Sequence, residues 1–120
     1  MGLLNKQTEF CSKLVQLLAG IQTHNYKIQH LNRTLEEQKA YVAKGASKTM
    51  QSKHIDILAA DIVLVDKINN SIVSDTTIYK NVIGLPAEAI GLRWGGRFGV
   101  KPEEYDTKIG WDSGHVEYKD

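Results

Sequence analysis

A single cysteine, Cys11, stands in the 120 residues. One thiol closes no internal disulfide and builds no thiolate metal site by itself. An excess of either charge is also missing: 15 Lys plus Arg face 14 Asp plus Glu. The basic face that marks a nucleic-acid binder is therefore not expected. No apolar run approaches the length that spans a bilayer, so stable membrane insertion is not expected either. The opening stretch, MGLLNKQTEF, turns polar and acidic by position 9 and holds no cleavable apolar core. It begins Met-Gly, but Lys6 stands where the myristoylation pattern needs Ser or Thr. The sequence thus reads as a protein made in the cytoplasm; if it works beyond the membrane, something else must let it out. Repeats, low-complexity tracts and linkers are lacking. The length suits one domain, residues 1–120, with one modest core.

Leu3, Phe10, Leu14, Leu17, Leu18 and Ile21 recur at near-helical spacing and predict an amphipathic helix over 3–21. Cys11 lies beside that apolar face and reads as a small buried or half-buried core residue. Alternation predicts a strand from Tyr26 to Asn32. Thr34 looks like an N-cap, with Glu37 completing a capping box, and the helix LEEQKAYVAK ends at Gly45. GASKTMQS is a loop. LAADIVLVDK is apolar and β-branched enough for a central strand, followed by a turn at Asn69–Asn70 and a short returning strand. A helix over 76–91 should bend or break near Pro86. RWGG reads as a short strand entering a glycine turn, 99–110 as loop, and GHVEYK as a last strand. The order α-β-α-β-β-α-β-β predicts an α+β domain with helices packed on a small antiparallel sheet.

The stretch SKHIDILAADIVLV sets His54 and Asp61 seven positions apart in a run that otherwise reads as buried strand. An unpaired buried carboxylate is costly, so Asp61 calls for a partner. Catalytic zinc takes three protein ligands and leaves a fourth position open, and His and carboxylate ligands suit it. A candidate third ligand is His115, with Asp112 three residues ahead of it in WDSGHVEY. The spacing alone says little, since His30 has Glu37 at the same offset of seven. By their residues alone, His24, His30 and Asp56 read as solvated or structural. Glu117 shares a strand face with His115, where it accepts a hydrogen bond from that histidine or lies exposed; both stay open. Trp111 walls a groove or packs in the core, and Trp94, Gly95 and Gly96 read as a packed turn beneath a cleft.

Four blocks in order carry more than any spacing. They are NRTLEEQ, the pattern S-x-H-x-x-x-x-A-x-D formed by Ser52, His54, Ala59 and Asp61, then LRWGGRF and WDSGHVEY. Together, over roughly residues 30–118, they resemble the zinc D-alanyl-D-alanine carboxypeptidases and L-alanyl-D-glutamate endopeptidases of bacterial cell walls, and most of all the branch found in phage endolysins. The resemblance implies a hedgehog/D-Ala-D-Ala peptidase-like fold and a Zn2+ ion held by His54, Asp61 and His115. It implies Asp112 as the general acid/base, Arg33 as the group that grips substrate near the scissile bond, and Ser52 as a small polar contact to substrate. By its residue type alone, Arg33 is also a surface partner for Glu36 or Glu37. Many members carry glycine three residues after the first histidine; here Ile57 stands there, which bears on the shape of the cleft.

The implied substrate is an amide of a peptidoglycan stem peptide. The implied setting is a lysin that waits in the cytoplasm and reaches the wall through a holin-type pore. Two other classes stand beside it: a non-catalytic, metal-containing module of the same fold that binds wall peptide, and an interaction domain whose site is coincidence. Stoichiometric zinc separates the last from the others, and cleavage of peptidoglycan separates the first two.

Overall fold

The structure is a computed structural model, and it describes residues 2–31 and 58–120. The expected helix LEEQKAYVAK with its Thr34 cap, the loop GASKTMQS, and Arg33, Ser52, His54, Asp56 and Ile57 lie outside the described residues.

Helix α1 spans Leu3–Ala19 and buries Phe10, Leu14 and Leu17. These fall at i, i+4 and i+7, one stripe of the helix. The helix closes at Gly20, whose N–H donates to the carbonyl of Leu17 at 3.1 Å. Leu18 and Ile21 pack against the core only in part. Cys11 is exposed, contrary to the core reading: one residue past Phe10 is about 100° around the helix, outside the buried stripe.

Strands β1 (Asn25–His30), β2 (Ala59–Val65), β3 (Leu92–Trp94) and β4 (His115–Tyr118) form one antiparallel sheet in the order β1-β2-β4-β3. The expected antiparallel sheet with helices on it is what the chain forms. The returning strand expected after Asn70 shrinks to a single bridge between Val65 and Ile72. The Asp66 side chain explains this. It accepts the backbone N–H groups of Ile68 and Asn69 at 2.8 and 3.1 Å, which winds the turn tightly, and Asn70 takes φ 55°.

Residues 76–89 are helical throughout. Helix α2 (Thr76–Tyr79) is capped by Asp75, a wider π turn follows at Lys80–Gly84, and helix α3 runs over Leu85–Ala89. Pro86 has no N–H to donate and its ring crowds the turn before it. The π turn absorbs that disturbance, so the helix is reshaped rather than broken.

The core lies between α1, α2, the π turn and α3 on one side and one face of the sheet on the other. That sheet face carries Ala60, Ile62 and Leu64 from β2, Val116 and Tyr118 from β4, and Leu92 and Trp94 from β3. Tyr79 ties the helices to β2: its buried hydroxyl accepts the N–H of Leu64 at 3.1 Å and donates to the carbonyl of Val73 at 2.8 Å. Residues 99–110, with a 3-10 turn at Pro102–Glu104, fold around Arg97. That guanidinium pairs both carboxylate oxygens of Glu88 at 3.0 Å and donates to the carbonyl of Tyr105 at 3.1 Å. Among the described residues no helix is long and apolar enough to cross a membrane.

Candidate metal centre

The opposite face of the sheet holds the polar residues, because successive side chains of a strand alternate. Val116 and Tyr118 turn into the core, so His115 and Glu117 turn away from it. Ile62 and Leu64 turn into the core, so Asp61 turns away. The register then sets these residues in rows. His30, Asp61 and His115 lie side by side across β1, β2 and β4. Ala59, Glu117 and Arg93 form the neighbouring row across β2, β4 and β3.

His30 reaches its row through an irregularity in β1 between Ile28 and His30. Ile28 pairs with Ile62, so an even register would set Gln29 opposite Asp61 and turn His30 to the core side. One inserted residue reverses that. His30, read as solvated or structural from its residue type, thus lies on the polar face.

Asp112 arrives from the turn before β4. The N–H of His115 donates to the carbonyl of Asp112 at 3.1 Å, which folds the chain back so that residues three apart share one side. The turn is held from beneath. The indole N–H of Trp94 donates to the carbonyl of Ser113 at 2.7 Å, and the N–H of Ile62 donates to the carbonyl of Gly114 at 2.8 Å. Gly95 is packed against it so closely that a Cβ there would run into the Asp112 carbonyl and lie 2.8 Å from the His115 Cβ. Gly95→Ala is expected to destabilise the fold by about 1–3 kcal/mol, as overpacking does. Thermal denaturation checks this; an unchanged midpoint would show that the turn has room to move.

The donor atoms of Asp61, Asp112 and His115 all lie within 4.8 Å of one another. His115 Nδ1 is 3.0 Å from Asp61 Oδ1 and 3.6 Å from Asp112 Oδ2. Ligand atoms bonded to a tetrahedral zinc at 2.0–2.1 Å stand roughly 3.3 Å apart. The two distances bracket that value, so an imidazole nitrogen and carboxylate oxygens already stand at chelate spacing. The other ring nitrogen, Nε2, is 2.8 Å from Glu117 Oε1. Glu117 is therefore buried against His115, which decides the reading left open above.

His115 itself is only 6% exposed. Burial disfavours its charged form, but the hydrogen bonds to Asp61 and Glu117 and the charges of Asp112 and Asp61 outweigh that, raising its pKa from 6.5 to about 9. Phe98 covers the ring, with centroids 5.3 Å apart, and Trp111 leans on Phe98 at 5.5 Å. Trp111 is 56% exposed, which excludes the core reading. It walls a cleft of about 370 Å³ that also borders His30, Asp61, Asp112 and Ser113. Residues 99–110, expected as loop, contribute nothing to that lining.

Of the residues singled out in the sequence, Asp61, Asp112 and His115 come together here. His54, Arg33 and Ser52 lie outside the described residues. Phe98 and Arg93, both within the LRWGGRF block, have no role of their own assigned from the sequence. The alternation of Leu92-Arg93-Trp94 could have turned attention to Arg93; no local signal marks Phe98.

The model of the family described as phage L-alanyl-D-glutamate peptidase matches residues 4–118. Among solved structures, the chain is similar to the crystal structure of the Serratia marcescens L-Ala D-Glu endopeptidase ChiX, with a TM-score of 0.67 and 17% sequence identity, over 90% of this chain and 77% of that one. At that identity the likeness is one of fold. No curated protein sequence matches the chain.

Proposed function

Because the chain belongs to the phage L-alanyl-D-glutamate peptidase family, we propose that it is a zinc-dependent peptidase that hydrolyses the L-Ala–D-Glu amide of peptidoglycan stem peptides, as a phage or prophage endolysin. The observation that carries this reading is the meeting of Asp61, Asp112 and His115 at chelate spacing, with both aspartates on the wall of an open cleft.

On this reading Asp61 Oδ1 and His115 Nδ1 are the ligands among the described residues, and His54 is the third by its place in the S-x-H-x-x-x-x-A-x-D pattern. A zinc ion held there would polarise the amide carbonyl and lower the pKa of a water to about 7. The chain supplies the rest. Asp112, with its side chain about a third exposed to the cleft, takes the proton from the attacking water and returns one to the leaving amine. Its base role, rather than a ligand's, follows its place three residues ahead of His115 in WDSGHVEY and leaves His54 as the third ligand. Arg33 offers a planar fork of donors to the developing oxyanion or to a substrate carboxylate, and Ser52 a hydroxyl to the substrate backbone. Trp111 gives the cleft an apolar wall for the peptide. Synthesis in the cytoplasm and passage through a holin-type pore complete the reading.

Metal analysis and digestion test it together. Purified protein is expected to hold one zinc per chain. Mass spectrometry of digested peptidoglycan is expected to show peptides beginning with D-Glu. Zinc with no fragments would favour a silent wall-peptide binder, fragments lacking a terminal D-Ala would move the scissile bond, and neither zinc nor fragments would overturn the reading.

A further inference from the structure

We propose that Glu117 and Arg93 are positioning residues: Glu117 fixes which nitrogen of His115 faces the cation site, and Arg93 holds Glu117 in place. The proposal rests on the zinc reading above and concerns how that site is kept in order.

A neutral imidazole carries one N–H, and the partner of that N–H decides which nitrogen is left to bind a metal. His115 Nδ1 points to Asp61 and Asp112, and Nε2 lies 2.8 Å from Glu117 Oε1. Asp61 also accepts from Nδ1 in the absence of a cation. When a cation displaces that proton, Glu117, which only accepts, holds the remaining N–H on Nε2 and keeps Nδ1 as the ligating nitrogen. The strand geometry makes this contact possible. Glu117 follows His115 by two residues on the same face of β4, and its cross-strand partner on β2 is Ala59. A side chain as small as alanine leaves room for Glu117 to bend back along its own strand to the imidazole.

Glu117 is 7% exposed, and a buried carboxylate needs partners on both oxygens. Oε1 has His115. Oε2 has Arg93 Nη1 at 3.6 Å, from the paired position on β3. The Arg93 guanidinium also lies 4.9 Å from the centroid of Phe98, whose ring covers His115. One outer arginine therefore braces both the hydrogen-bond partner and the aromatic cover of the same histidine. Arg93 is 57% exposed on its side chain and lies outside the metal group, so its effect reaches the site only through these neighbours.

Zinc affinity measured against a competing chelator, with 15N NMR of His115 in the zinc-loaded protein, tests this. Glu117→Ala is expected to weaken zinc binding about 10–100-fold and to yield a mixture of Nδ1 and Nε2 ligation. Glu117→Gln, which can still accept the Nε2–H, should keep Nδ1 ligation and recover most of the affinity. Arg93→Ala should lose part of the affinity in the parent protein and none further in the Glu117→Ala background. A structural role alone would not predict rescue by glutamine or a change of ligating nitrogen. If the parent protein binds zinc and Glu117→Ala binds it as tightly with unchanged Nδ1 ligation, positioning by Glu117 is overturned and the zinc reading stands. If the parent protein binds no zinc, both fall.

Discussion

Asp112→Asn is expected to lower kcat by about 10²–10⁴-fold, the loss typical of removing a general acid/base, while the protein keeps its zinc. Asparagine matches aspartate in shape, and the hydrogen bond that forms the turn uses the backbone carbonyl of Asp112, which the substitution leaves alone. The fold of the 112–115 segment should therefore persist. The metal readout is what separates two roles. The donor atoms of Asp112 lie within reach of the same group as Asp61 and His115, so an Asp112 that ligates the cation would take zinc with it when replaced. As a base, it would not. Its charge also helps hold a proton on His115; removing that charge eases deprotonation, which favours metal binding at neutral pH. Full zinc with lost turnover assigns the proton transfer to Asp112. Full turnover would leave that role to another group, and loss of both would make Asp112 a ligand.

How much of this was visible beforehand differs from residue to residue. The stripe of Phe10, Leu14 and Leu17 predicted α1, and period-two alternation already set His115 with Glu117 and apart from Val116. The same alternation places Asp61 opposite Ile62 and Leu64, although the unbroken apolar run suggested a strand buried on both faces. What local pattern does not contain is register. Asp61 and His115 are 54 positions apart, and only the pairing of β2 with β4 makes them neighbours. The ordered blocks of sequence supplied that juxtaposition by resemblance, without the geometry behind it. His30 shows the converse. Its side was set by one extra residue in β1, and a one-residue slip reverses a strand's faces. Cys11, read as core, is exposed, and Trp111, left open between groove wall and core, is the groove wall: exposure depends on what packs nearby, and neither residue type dictates that.

Between pH 7 and 9, apparent zinc affinity is expected to rise about tenfold per pH unit and to level off above 9. On the proposed zinc reading, metal and proton compete for one lone pair on His115 Nδ1, since a ligand must be deprotonated to bind. In the metal-free protein that ring is buried between Asp61 and Glu117, with its pKa raised from 6.5 to about 9. At pH 7 nearly every molecule must release this proton before the site can fill. Each pH unit gained removes one factor of ten from that cost until the ring is neutral without help. Stability of the metal-free fold runs the other way. A folded-state pKa above the unfolded one gives stabilisation that is complete below about pH 6.5 and is lost as pH rises through 9. Zinc thus protects the protein least at acidic pH, where the His115 proton already bridges the two carboxylates, and most at alkaline pH, where that bridge is gone. Calorimetry in buffers of different ionisation enthalpy should count close to one proton released from His115 at pH 7.5 and few at pH 10. Binding that ignores pH over this range would mean that Nδ1 of His115 is not where the metal sits.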